Sequence, residues 1–183
     1  GTYGHYVWRA AVHRDKAYLC ARRRRDFVPG TDAERRPGQI QGAMLESGYG
    51  LVWHLAGLFT ESHGDETAFL FEDDGEVVAL ARGAAKRPAQ VCRSRPPFVE
   101  WQRTELDRNV GGPLLTKWGG RYLVAGRKTL EPKPAITTVY WLEDDALVEQ
   151  LAEAIGGPEE VERLSGWRRV HDDEVVVLAQ VEL

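Results

Sequence analysis

The sequence predicts an all-β fold of many short strands joined by tight turns, on three observations. First, its apolar stretches are about five residues long and rich in β-branched and aromatic side chains: 17–21 (AYLCA), 77–81 (VVALA), 122–126 (YLVAG) and 175–179 (VVVLA). Strands of that length are ordinary, whereas helices of that length are marginal in water. Second, the 183 residues include 19 glycines, 9 prolines and 6 tryptophans, a composition of turns and aromatic-filled sheets. Third, the chain carries an internal repeat.

Four hairpins share one pattern, an apolar strand, a tight polar turn and a second apolar strand ending in a polar residue. They read VHRDKAYLCAR (12–22), LFEDDGEVVALAR (70–82), LTKWGGRYLVAGR (115–127) and RVHDDEVVVLAQ (169–180). Their turns use Asp15, Asp74-Gly75, Gly119-Gly120 and Asp172-Asp173, residues that tolerate positive φ or bond their own backbone. Aligned on the last turn residue, the hairpins end at Arg22, Arg82, Arg127 and Gln180, spaced 60, 45 and 53 residues apart. Repeats of about 40 to 50 residues with four strands per unit are the signature of a β-propeller.

The stretches between hairpins supply two outer strands for each unit. These are 42–47 and 52–59 in the first, 89–95 and 99–106 in the second, and 136–142 and 147–155 in the third. In 145–155 (DALVEQLAEAI), Leu147, Leu151 and Ile155 recur every four residues, so that segment reads as helix or as strand. The segment 22–41 has the composition of a solvated loop. The expected organisation is one propeller region over 1–183, with blades at 5–59, 66–106 and 113–155 and a half-blade at 166–183. Three and a half four-stranded blades leave a sheet flank open, which proteins normally avoid. The expectation is therefore a partial propeller, or one closed by self-association into a homo-oligomer.

Composition excludes several classes. A formal charge of −4 argues against a general nucleic-acid binder. No apolar run approaches the roughly 20 residues of a membrane helix, and no charged-then-apolar leader opens the chain. Two cysteines, Cys20 and Cys92, are too few for a disulfide scaffold and read as buried free thiols. No Walker loop, G-x-G-x-x-G or C-x-x-C occurs, so no cofactor is expected. His5, His13, His54, His63 and His171 are scattered; His63 with Asp65 or Glu66 is the one arrangement that suits a cation, and no metal site is assigned. Gly111-Gly112-Pro113 reads as a turn into the next blade.

The repeat sets Arg22, Arg82 and Arg127 at the rim of one propeller face, where three guanidiniums form a fork for a carboxylate. Glu66, opening the second unit, falls on the same face; beside three arginines its pKa is held low, as suits a base or an orienting partner. The competing reading is that these are surface arginines of an arginine-rich chain, most of all Arg22, which heads the run 22–25.

HGDETAFLFEDDGEVVALAR (63–82) resembles the sialidase (neuraminidase) superfamily of six-bladed propellers with bacterial neuraminidase repeats, in which a glutamate opens a blade and an arginine closes its hairpin. RSRPPFVEW (93–101), GGPLL (111–115) and GRYLVAGR (120–127) resemble the strands that follow, so the likeness covers roughly 5–181. ESGYGLVW (46–53) is similar to a degraded Asp-box, S-x-D-x-G-x-x-W: Gly50 and Trp53 stand, while Glu46 and Gly48 replace the serine and aspartate. Trp101 holds the matching place in the next blade, and both tryptophans read as packing residues. The resemblance implies that Glu66 activates a catalytic tyrosine, and that Arg82 belongs to a carboxylate-binding triad with Arg127, or Lys128, as a further member. It places that tyrosine near 175–180, where this sequence has none, and an aspartate acid/base ahead of the first unit. It therefore implies a glycoside-recognising domain, meeting a carboxylated or otherwise polar sugar, without a full catalytic set. The alternatives are part of an active sialidase-type hydrolase whose tyrosine and aspartate lie outside this chain, and a non-catalytic interaction scaffold.

Overall fold

A computed structural model describes residues 4–24, 37–128, 136–148, 168–171 and 174–176. Fourteen strands run through these residues, with one 3-10 turn at Pro37–Gln39 and no α-helix among them. The first sheet comprises β1 (His5–His13), β2 (Lys16–Arg24), β3 (Ile40–Ser47) and β4 (His54–Thr60). The second comprises β5 (Gly64–Phe71), β6 (Val77–Gly83), β7 (Gln90–Ser94) and β8 (Gln102–Glu105). The third comprises β9 (Gly111–Trp118), β10 (Arg121–Lys128), β11 (Ile136–Glu143) and β12 (Ala146–Val148). Each sheet is an antiparallel meander with its strands in chain order. A hairpin of β13 (Arg168–His171) and β14 (Glu174–Val176) follows.

Turn chemistry sets the hairpins. Gly75 has φ 91°, and Gly119 and Gly120 have φ 58° and 78°, the left-handed conformations expected of them. Asp74 Oδ1 accepts from the Glu76 N–H at 3.0 Å, so the aspartate caps its own turn. In the first hairpin the positive φ, 52°, falls on Arg14 rather than on Asp15. Asp172 and Asp173 lie outside the described residues. Between β11 and β12 the same job is done by Asp144 and Asp145, at φ 49° and 56°. The helix-or-strand segment thus begins as a turn and the short strand β12; 149–155 lies outside the described residues.

The continuous apolar run of β6 has a physical reason: both faces of the second sheet are covered. Side chains alternate across a strand. Val78 and Leu80 pack with Val91, Leu115, Val124, Tyr140 and Leu142 towards the third sheet. Val77, Ala79 and Ala81 pack with Tyr18, Cys20, Met44 and Phe59 towards the first. Three sheets stacked face to face thus make two cores, and each fully buried Leu or Val contributes roughly 1.5–3 kcal/mol. Gly64 lets the first two sheets approach, since a Cβ there would lie 2.4 Å from both Gly42 N and Thr60 Oγ1.

Cys20 and Cys92 are free, buried and in the same core cluster. In the 46–53 segment, Ser47 Oγ accepts from the N–H groups of Tyr49 and Gly50 at 3.4 and 2.9 Å, so the turn between β3 and β4 is held by the serine one place on from Glu46. Trp101 packs edge-on to Phe59, centroids 5.1 Å apart, and donates to Phe98 O at 2.9 Å. His13 stacks on Phe71 at 4.6 Å. Trp118 is 63% exposed and tilts against Trp141 at 6.3 Å, with the Arg121 guanidinium 4.0 Å from the Trp141 centroid.

Candidate functional site

The ends of β2, β6 and β10 and the starts of β5 and β9 lie at one end of the stack, the end of the β2–β3, β4–β5, β6–β7 and β8–β9 connections. Each sheet carries a bulge here in its first strand pair. In β5, Gly64 pairs with Gly83 and Thr67 with Ala81, which leaves Asp65 and Glu66 together opposite Arg82. A bulge sets two residues against one and re-aims their side chains. Two consecutive carboxylates can therefore serve one guanidinium, which a regular strand would prevent.

Arg82 Nη1 donates to Glu66 Oε2 at 2.7 Å and lies 3.6 Å from Asp65 Oδ2. Arg22 Nη1 crosses from the first sheet to Asp65 Oδ1 at 2.7 Å, its guanidinium 4.7 Å from the Tyr6 ring centroid. Asp65 is thus clamped between two arginines with only 12% of its side chain exposed. In the third sheet the bulge leaves Gly112 and Pro113 opposite Gly126. The Gly112 N–H, outside the ladder, donates to Glu66 Oε2 at 3.0 Å. The Pro113 carbonyl accepts from Arg9 Nε and Nη2 at 3.2 and 2.9 Å. All three sheets are tied together at this point.

Arg127 is exposed, pairs in register with Gly111, and makes no ion pair among the described residues. Its charge still reaches Glu66. Burial raises the Glu66 carboxyl, but the Arg82 hydrogen bond, the Gly112 N–H and the charges of Arg82 and Arg127 outweigh it and hold the pKa below the ordinary glutamate value. Glu66 is therefore ionised at neutral pH: an acceptor or base, and unsuited to donating a proton there. Lys128, one residue past Arg127, pairs with Ile136 in the β10–β11 ladder.

The structure thus brings Arg22, Arg82 and Glu66 into one network and sets Arg127 beside it. Asp65 occupies the place the sequence suggested for a ligand carboxylate. Asp65 and the Gly112 N–H were missed as partners because nothing in GDETAF or GGPLL marks a bulge; Gly111-Gly112-Pro113 is no turn but the opening of β9. His63 Nδ1 lies 3.2 Å from Ser62 Oγ. Among the described residues no three His, Cys, Asp or Glu side chains gather to hold a metal ion.

No family model matches the chain, and no curated protein matches it in sequence. Solved structures do match. The RS223 β-xylosidase superposes with a TM-score of 0.59 at 14% identity, over 81% of this chain and 59% of the other. A GH43 β-xylosidase/α-arabinofuranosidase from a compost microbial metagenome, solved with xylotriose, gives 0.56 at 12% identity, over 79% and 58%. A Bombyx mori GH32 β-fructofuranosidase solved with sucrose gives 0.51 at 18% identity, over 76% and 35%. A Dyadobacter fermentans protein of unknown function gives 0.52 at 14%, over 68% and 34%. The chain thus spans between about a third and three-fifths of the length of these structures. At such identities the likeness shows the fold: a β-propeller of the kind these glycoside hydrolases use, seen here as three four-stranded sheets and a hairpin.

Proposed function

We propose that this is a glycan-recognising propeller whose sugar-binding surface is the bulged end carrying Arg22, Asp65, Glu66, Arg82 and Arg127. The observation that carries the reading is the Arg22–Asp65–Arg82–Glu66 chain, which fixes two carboxylates and their guanidiniums at the meeting point of three sheets. Carboxylates that accept from sugar hydroxyls, beside arginines that donate to ring and hydroxyl oxygens, are a lining suited to a polyhydroxylated ligand. Arg127 is the most open member, since Arg22 and Arg82 each also hold a protein carboxylate, although Arg82 engages only Nη1.

The sialidase type is the finer form of this reading, with Arg82 and Arg127 meeting a sugar carboxylate and Glu66 orienting a nucleophile. An ionised Glu66 fits a base and leaves the acid role to another group. Recognition without turnover is the expected behaviour of these 183 residues, and glycoside hydrolysis requires a nucleophile and an acid beyond Glu66. Titration calorimetry with xylotriose, N-acetylneuraminic acid and glucuronic acid tests the reading. Binding that weakens in Arg127→Ala supports it, and absence of binding to all three sugars removes it.

The reading extends to self-association. The second sheet buries both faces in apolar contacts, while the third continues the same composition onto a far side bearing Leu114, Trp118, Leu123 and Trp141. A second copy of the chain seated on that side completes the pattern. Light scattering should then give a mass above the monomer that Trp118→Lys returns to the monomer; a strict monomer contradicts it.

A further inference from the structure

Beside the network, on the outer side of Arg82, lies a cavity of about 140 Å³. The polar side chains lining it include Ser62, His63, Arg82, Arg87, Gln90 and Glu105. We infer that this cavity is an anion subsite, in which the carboxylate of a uronic-acid-type sugar is held between Arg82 and Arg87. The inference rests on the glycan-binding reading and says where the charged substituent goes.

Three observations carry it. The centre of the arginine fork is already filled. Asp65 and Glu66 hold Arg22 and Arg82, so a ligand carboxylate placed there would face two carboxylates at close range. Like charges at such distances are strongly disfavoured. Next, Arg82 is under-used. A guanidinium has five N–H donors, yet both contacts Arg82 makes with the described residues go through Nη1, and its Nε is buried with no acceptor. A quarter of the side chain remains exposed, 26%, which leaves donor capacity for an incoming oxygen.

The third observation is the second cation. Arg87 is exposed and pairs with no carboxylate among the described residues. Its backbone is nonetheless held in place. The Ala84 N–H donates to His63 O at 2.8 Å, the Arg87 N–H to Ala84 O at 3.2 Å, and Asn109 Nδ2 to Gly83 O and Arg87 O at 2.8 and 2.6 Å. Ala85 and Lys86 in this turn sit at φ 55° and 63°, as does His63 across the cavity at 52°. Non-glycine residues in that region cost free energy and persist only where surrounding bonds over-determine them. The turn therefore presents Arg87 from a fixed backbone at the cavity rim. Against two guanidiniums the lining sets one carboxylate, Glu105, at its exposed edge. Ser62 and Gln90 add hydroxyl and amide groups that suit the rest of a sugar ring.

The test compares glucuronic acid with xylotriose, a neutral sugar, by calorimetry on the full chain and on Arg87→Gln. The substitution leaves the turn's backbone bonds intact, and its thermal unfolding should match that of the wild type. Wild type should prefer glucuronate, and Arg87→Gln should weaken glucuronate about tenfold, the scale of one lost charge-assisted hydrogen bond, with xylotriose unchanged. Glucuronate affinity that Arg87→Gln leaves intact, or that falls equally for both sugars, overturns the subsite while leaving the glycan-binding reading standing. Binding of neither sugar by the wild type overturns the subsite, and failure of N-acetylneuraminic acid to bind as well overturns the glycan-binding reading with it.

Discussion

Arg22 on the first sheet and Asp65 on the second meet at 2.7 Å, and this contact joins two blades at the end where the candidate site lies. Asp65 accepts it while also lying beside Arg82, so one carboxylate links a neighbouring blade to the arginine of its own hairpin. Glu66 does the same in the other direction, through Arg82 and the Gly112 N–H of the third sheet. The site and the sheet-to-sheet junction are one structure, and substitutions there should register in both stability and binding.

Asp65→Asn keeps the shape and removes the charge. Hydrogen bonds to charged groups contribute roughly 1.5–3 kcal/mol, and Arg22 is 40% exposed, which screens its share. The expected loss is about 1–2 kcal/mol, read from urea unfolding as a lower midpoint with an unchanged slope. A midpoint equal to wild type would show that the clamp contributes nothing.

Acid should weaken the fold at both ends of the stack, through Glu66 at the bulged end and Glu72 in the β5–β6 turn. Glu66 is raised by burial but lowered further by Arg82, Gly112 and Arg127; Glu72 is raised by burial and lowered further by Lys117 and Tyr122. Carboxyls depressed in the folded state bind protons first in the unfolded chain. Their contribution is complete above the ordinary glutamate value, about 4.3, and disappears as pH falls through the lower folded values. Urea midpoints should be flat from neutral pH down to about 5 and drop below that. A midpoint that rises on acidification contradicts the assignment.

The two thiols should be silent in the folded protein. Burial pushes Cys20 up to about 11 and Cys92 up to about 12. Only the thiolate attacks a disulfide reagent, so an aromatic disulfide at pH 8 should titrate neither thiol in buffer and both in denaturant. Rapid reaction of either under native conditions would place it outside the core.

Two glycines separate close approach from open space. Gly64→Ala would drive a Cβ into Gly42 N and Thr60 Oγ1 at 2.4 Å, whereas a Cβ at Gly48 meets nothing within 4 Å. The first should cost about 1–3 kcal/mol, the scale of overpacking, and the second within about 0.5 kcal/mol. Equal melting temperatures for the two variants would mean that the first two sheets are not packed as described.

The strand framework was legible because its causes are local. Hairpin turns announce themselves as Asp74-Gly75 and Gly119-Gly120, and the doubly covered β6 shows as an unbroken VVALA run. The four-strand units, and the arginine at the end of each second strand, follow from that repeat. The site's wiring was not legible because a bulge depends on how two strands pair. Asp65 would ordinarily point away from Glu66; the extra residue between Gly64 and Thr67 turns both to Arg82. A separate register shift, in the third sheet, frees the Gly112 N–H for Glu66. Arg87 carries no motif, and only the turn pinned by Asn109 places it beside Arg82.

If the bulged end of the inner strands binds glycan, hydrogen exchange with and without saturating sugar will report it there. The amides expected to gain protection are those of 22–24, 64–67, 82–84, 111–112 and 127–128, around the Arg22–Asp65–Arg82–Glu66 network. Protection confined to the opposite end, at 72–76 and 95–101, or no change at any segment, would contradict the account.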